Sequence, residues 1–198
     1  KYTPMLYALA AYFGIFLSFQ SETLIDLFMD NEFKDVYFVL TIMAFYPLHQ
    51  TYGQLNSSLF FSIENTRQYR DISFVSTFFS LILSFIFVYE LEMGAVGFAW
   101  KMVLAQLIGV NIQLFVITHF LKIKLKYLII HQVIVLLFFT VIAYFVSSLP
   151  WLNDKGLVGF LIAGFLYTLI GLGGVFLFPS IFGFTRAELN NFVYKTKS

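Results

Sequence analysis

Six polar side chains inside one hydrophobic stretch are the residues best suited to hold a ligand. Residues 36–62 carry His49, Gln50, Gln54, Asn56, Ser57 and Ser58. At 3.6 residues per turn, Gln50, Gln54 and Ser57 share one helix face, and His49, Gly53 and Asn56 form the adjacent stripe. Amides and hydroxyls are the groups with which an array of sugar hydroxyls pairs, and they also suit a hydrated cavity. Leaving that many amides unpaired in hydrocarbon costs several kcal/mol, so the sector is expected to face protein or water rather than lipid. The plainer reading is hydrogen bonding between helices, which holds bundles together with no ligand. The sector is wide for one partner helix, which favours a binding role. His49 alone makes no metal site, because His119 and His131 fall at the opposite membrane face.

Lys101 is the one charge well inside an apolar stretch. It lies seven residues past Gly94, so roughly 10 Å deep at 1.5 Å per residue. Ala105, Gly109 and Gln113 share its face. A lysine at the bilayer centre costs about 2.5–3.5 kcal/mol, and snorkelling relieves much of that cost. Two readings stand: a snorkelling side chain, or a cation facing a cavity that takes an anion such as a pyrophosphate. Arg67 and Arg70 follow the polar stretch. They either set the topology or attract a phosphate-bearing head group.

Tests for catalytic chemistry fail. There is no G-x-S-x-G, H-E-x-x-H, G-x-x-x-x-G-K or D-x-D, and no Cys for a thiolate nucleophile or ligand. Glu90 and Glu92 form a carboxylate pair without a His or Lys partner nearby in sequence. No enzyme activity, metal or cofactor is expected. With 12 Lys+Arg against 11 Asp+Glu, no basic patch for nucleic acid is expected either.

The elements that position these residues follow from composition. Of 198 residues, 60% are hydrophobic and 12% charged, against about 45–50% and 25% in soluble domains. A mean hydropathy of +0.83 points the same way, to a polytopic all-α membrane bundle. A bilayer core needs about 20 apolar residues per helix, and backbone groups in hydrocarbon must be satisfied within the segment. Six spans are expected, at 5–20, 36–62, 72–89, 94–120, 127–148 and 156–178, in a single transmembrane domain over residues 1–198. The first is short, and Thr23 to Met29 either lengthens it or forms an interfacial turn. Pro47 is expected to kink the second. Ser73, Thr77, Ser80 and Ser84 form a hydroxyl stripe in the third, read as a packing surface, as are Ala10, Gly14 and Ser18 in the first. The sixth span carries Gly156, Gly159, Gly164, Gly171, Gly173 and Gly174. These are read as close-packing positions, with a hinge as the alternative. The fifth is apolar all round, with His131 and Gln132 near one end.

Charge sorts the gaps. One side holds Lys1, Arg67, Arg70, Lys122, Lys124, Lys126, Arg186, Lys195 and Lys197, nine of the twelve basic residues. The other holds Glu22, Asp26, Asp30, Glu32, Asp35, Glu90, Glu92 and Asp154, eight of the eleven acids, with Lys34 and Lys155. The positive-inside rule puts the basic side, and both termini, in the cytoplasm.

Tyr46-Pro47-Leu48-His49-Gln50-Thr51-Tyr52-Gly53-Gln54-Leu55-Asn56, with Thr66 and Tyr69 before the next span, resembles the polysaccharide-biosynthesis flippases. These are the Wzx-like branch of the multidrug/oligosaccharidyl-lipid/polysaccharide exporter superfamily. Leu17, Phe19, Ser21 and Glu22, and Gly94-Ala95-Val96-Gly97, are similar too, so the likeness covers most of residues 1–120. The resemblance implies twelve to fourteen helices in two lobes, of which these six correspond to the C-terminal portion. The chain is then expected to be a fragment lacking an N-terminal lobe. The resemblance also implies transport of an undecaprenyl-pyrophosphate-linked oligosaccharide across the bacterial cytoplasmic membrane by alternating access. Substrate contacts would come from His49, Gln50, Gln54, Asn56 and Lys101, and head-group contacts from Arg67 and Arg70. The expected partners are the lipid-linked oligosaccharide, membrane lipids and other polysaccharide-assembly membrane proteins. A multidrug or cation exporter of the same superfamily is one alternative, against which stands the lack of an acid deep in any span. A multi-pass enzyme of envelope-lipid synthesis is the other, prompted by Glu22, Asp26, Asp30 and Glu32.

The charge sorting is testable by labelling, since the chain has no native Cys. Gln68→Cys and Ile123→Cys should react with a membrane-impermeant maleimide from one side, and Leu91→Cys from the other. Reaction of positions 68 and 123 from opposite sides would contradict the assigned spans.

Overall fold

A computed structural model describes residues 2–29, 36–153, 156–184 and 186. Lys1, Lys34, Lys155, Lys195, Lys197, Asp30, Glu32, Asp35, Asp154 and Glu188 lie outside the described residues. The described chain is helical and holds no strand among its described residues. Its helices are α1 (Tyr2–Phe19), α2 (Ser21–Phe28), α3 (Val36–Met43), α4 (Tyr46–Ser62), α5 (Thr66–Ser84), α6 (Gly94–Leu121), α7 (Leu125–Ser147), α8 (Pro150–Asn153) and α9 (Gly156–Leu177). A π-helical turn, Phe85–Glu90, extends α5, and a 3₁₀ turn, Pro179–Phe182, follows α9.

Four helices are long and apolar enough to cross a membrane: Thr66–Glu90, Gly94–Leu121, Leu125–Ser147 and Gly156–Leu177. A fifth span results if α1 and α2, bent by 64° at Gln20, are counted together. The expected second span is not one rod. Residues 36–62 form helices of 8 and 17 residues, each under the length a bilayer needs, parted at Ala44-Phe45. Ahead of Pro47, where a kink is expected, the helix is interrupted for two residues, with Phe45 still in the α region at φ −83° and ψ −16°. Proline has no N–H and its ring excludes the carbonyl four residues back, but it fits the first turn of a new helix, where it stands in α4.

The packing pairs fix the helix directions. Between α1 and α4, Tyr7 meets Tyr52 with ring centroids 4.8 Å apart, and Ser18 Oγ donates to Thr41 O at 3.0 Å just before the break, so these run antiparallel. Between α4 and α6, Gly53 faces Gln106, Asn56 reaches Val110, and Phe60 clusters with Ile117, so these run parallel. Ser76 against Gly109 and Ile72 with Ile117 make α5 antiparallel to α6. Tyr12 packs on Phe139, while Phe19 and Ser147 line one cavity, so α1 and α7 are parallel. Tyr12 with Thr168, and Phe16 with Phe160, set α9 antiparallel to α1. Directions therefore alternate through α1, α4, α5, α6, α7 and α9. Arg67, Arg70, Lys122, Lys124 and Lys126 gather at one end, and Glu22, Asp26, Glu90 and Glu92 at the other.

Small residues decide how closely these helices meet, in two ways. Gly14 admits backbone: a Cβ there would sit 2.5 Å from Ala44 O and against Leu48, at the α3–α4 break. The glycines of α9 admit rings instead. Gly171 lies against Tyr12 and Phe139, Gly164 against Phe16, and Gly174 against Phe138. Tyr12 and Tyr167 stack at 5.0 Å between centroids, and the Tyr167 hydroxyl donates to Tyr12 O at 3.0 Å. In α5, Ser73 and Thr77 bond back to Tyr69 O and Ser73 O, and Ser76 is pressed against Gly109 of α6. The outside is apolar, with Phe74, Phe78, Leu81, Leu137, Val141 and Phe165 all exposed, a surface suited to lipid rather than water.

Gly14→Ala should destabilise the protein by about 1–3 kcal/mol, because backbone must shift to make room. Gly173→Ala, where a Cβ meets nothing within 4 Å, should stay within about 0.5 kcal/mol of the parent. Equilibrium unfolding in a mild detergent measures both.

Candidate functional site

The polar sector of α4 divides as the helical spacing requires, and its two stripes have different surroundings. His49 and Asn56 point into the bundle, 6% and 1% exposed. Asn56 Nδ2 donates to Val110 O at 3.4 Å. Gly53 between them lets Gln106 close in: a Cβ on Gly53 would lie 3.1 Å from Gln106 Nε2. This stripe is a polar seam between α4 and α6. The sequence reading missed Gln106; its signal was the seven-residue spacing to Gln113, which places both on one face of α6.

The second stripe faces away from the bundle. Gln50, Gln54 and Ser58 are exposed and Ser57 half-buried. The hydroxyls are already occupied within the helix: Thr51 bonds Pro47 O at 2.8 Å, Ser57 bonds Gln54 O at 2.8 Å, and Ser58 bonds the same oxygen at 3.0 Å. The side-chain amides of Gln50 and Gln54 make no hydrogen bond among the described residues. Each offers two donors and a carbonyl acceptor. Among the exposed side-chain amides on this helix, these two have donors and acceptors left for a ligand.

Lys101 is half-buried on α6, with Nζ 5.0 Å from the centre of the Phe98 ring, a cation–π contact. It makes no salt bridge among the described residues. The parallel register of α4 and α6, in which Gly53 meets Gln106 and Asn56 meets Val110, sets it level with the first turn of α4 near Leu48. Lys101 does not join the amide stripe: at 3.6 residues per turn it stands roughly 140–180° round α6 from Gln106 and Val110, the residues that meet α4. Arg67 and Arg70 stand apart at the basic end, where Arg70 is forked onto Asp71 at 2.9 and 3.0 Å. The structure brings His49 and Asn56 together inside, leaves Gln50 and Gln54 outside, and separates the arginines from both.

Two tyrosines that sequence reasoning did not single out complete the interior. Tyr7 and Tyr52 are fully buried, and neither hydroxyl has a partner among the described residues. Nothing in a chain with 12 Tyr and 27 Phe distinguishes them before the fold is known. Among the described residues, no group of three or more His, Asp or Glu comes together to hold a metal ion.

No protein-family model matches the chain, and neither curated proteins nor solved structures give a match.

Asn56→Ala should cost about 1 kcal/mol, since it removes a buried bond to Val110 O, a carbonyl that keeps its own helical partner in α6. Gln54→Ala should change stability by less than about 0.5 kcal/mol. Unfolding midpoints of the two variants in one detergent make the comparison. Equal losses would show that Gln54 is also a packing residue.

Proposed function

We propose that this chain is one lobe of a transporter that carries a lipid-linked oligosaccharide across a membrane. The observation that supports this most is the open amide stripe of α4. Its neighbours expose phenylalanine, leucine and isoleucine, while Gln50 and Gln54 expose unpaired amides. A membrane helix bears such a face where it lines water or meets a polar partner. A sugar moiety carries matching hydroxyls, while Lys101, on another face of α6, supplies the charge that a pyrophosphate linkage needs. His49 and Asn56 then hold the wall in shape from behind rather than touching substrate.

In this reading the bent pair α1–α2 and the broken pair α3–α4 each count as one crossing, which makes six spans with the basic end in the cytoplasm. Discontinuous helices at a transport site are a known device for alternating access. The fit with the Wzx-like flippases rests on the Tyr46–Asn56 stretch and on the open amides of Gln50 and Gln54. A second lobe opposite α4 would close the cavity, and other polysaccharide-assembly membrane proteins would take over the product. The rival reading, a multi-pass enzyme of envelope-lipid synthesis, draws on one observation. Glu22 and Asp26 line a polar cavity of about 500 Å³ with Gln20 and Thr23. Covalent turnover of a radiolabelled lipid-linked sugar by the purified protein would favour it.

Loss of the protein should trap lipid-linked sugar in the cytoplasmic leaflet and strip polymer from the cell surface. Gln54→Leu and Lys101→Ala should each lower export about ten-fold, the equivalent of one charge-assisted or two neutral hydrogen bonds. Immunoblots of surface polysaccharide from cells carrying each variant measure this. Normal yield from both would remove these residues from any substrate site.

A further inference from the structure

The face of α6 turned away from α4 carries three hollows that all include Phe115. An apolar one is lined by Leu107, Ile108, Asn111 and Ile112. The next, of about 620 Å³, runs between α5 and α6 past Ile72 and Phe120 to His119. The last lies under the α6–α7 turn, among Thr118, His119, Lys122 and Leu125. Phe115 is 63% exposed and borders all three, so the hollows adjoin one another around this one side chain as a shallow groove.

The groove has a chemical direction. Its inner part offers hydrocarbon, and its mouth offers His119 and Lys122 at the end of the molecule that also carries Arg67, Lys124 and Lys126. Asp71 lines the middle hollow, but Arg70 holds it in an ion pair at 2.9 Å, so it does not oppose an anion there. Lys122 closes α6 in a left-handed conformation, φ 53°, which turns the chain sharply into α7. Its N–H and that of Ile123 take Thr118 O, covering a carbonyl that would repel an anion. The first turn of α7 starts at Leu125 in the same hollow, where its positive end meets the negative end of α6, so the charge of the mouth rests on the side chains.

We propose that this groove is a binding site for an anionic phospholipid of the leaflet at the basic end. The phosphate sits between His119 and Lys122, and an acyl chain lies along Phe115 toward Leu107. The ligand is apolar along most of its length and negative at one end, as the groove is apolar along most of its length and positive at one end. The inference needs the membrane setting but not the transport reading, so the two stand or fall separately.

Fluorescence quenching tests it. Phe115→Trp is placed in a protein whose Trp100 and Trp151 have been changed to Phe, reconstituted in phosphatidylcholine with brominated phosphatidylglycerol or brominated phosphatidylcholine. Leu172→Trp serves as the control, because it lies in an apolar crevice between α1 and α9 with no charged lining residue. One cation near the surface favours an anionic lipid by about five-fold. The anionic lipid should therefore out-compete the neutral one about five-fold or more at position 115, and about equally at position 172. Lys122→Ala with His119→Ala should bring position 115 down to the level of position 172. Equal preference at both positions, or a preference that survives the double substitution, would overturn the site and leave only the general charge of that surface. Neither changed side chain belongs to the buried core, and circular dichroism of each protein reports whether it has kept its helices.

Discussion

Carbonyl and N–H groups with no partner are costly in hydrocarbon, and the amides of Gln50 and Gln54 place that cost on an open face. Every other long helix turns apolar side chains outward, where acyl chains cover them at no electrostatic penalty. The α4 stripe cannot share that solvent. It requires water or protein along its length, so the chain has two kinds of outer surface. Placing the amides outward in turn frees the opposite side of α4 for the tight seam with α1 and α6. Tyr52, Asn56 and Phe60 are buried on that side.

The same helix shows how packing substitutes for a hydrophobic drive that is weak between helices in lipid. Gly14 lets backbone approach backbone at the α3–α4 break, and hydroxyls then bridge the approach. Ser18 donates to Thr41 O, and the Ser21 and Thr41 hydroxyls lie 2.6 Å apart. The end of α1, the start of α2 and α3 are thus tied at one level, where two helices are interrupted. On the other side of α1, glycines of α9 receive Tyr12, Phe16 and Phe139. The bundle is joined by backbone contact on one flank and aromatic contact on the other.

Much of this was legible in the residues. The split of the α4 sector into two stripes follows from spacing alone, as do the helical class and the long helices α5, α6, α7 and α9. The gathering of Arg67 with Lys124 at one end followed from charge, and the helix directions agree with it. The break at Ala44-Phe45 was not legible. Pro47 states that one hydrogen bond is missing, while the place of the interruption is tied to Gly14 and Ser18 of another helix, α1. Hydropathy also averages across such a break, which is why 36–62 reads as one span. Which stripe of α4 would be open was likewise a tertiary matter: it turned on Gly53 admitting Gln106, a pairing 53 residues apart in sequence.

The medium around the α4 amides is the most direct test of the account. Spin labels at positions 50 and 54 should collide readily with a water-soluble nickel chelate in power-saturation measurements of the protein in bilayers. Labels at Phe78 and Leu137 should collide with oxygen instead. An oxygen-dominated response at position 54, matching that at position 78, would place the amide stripe in lipid and contradict the account.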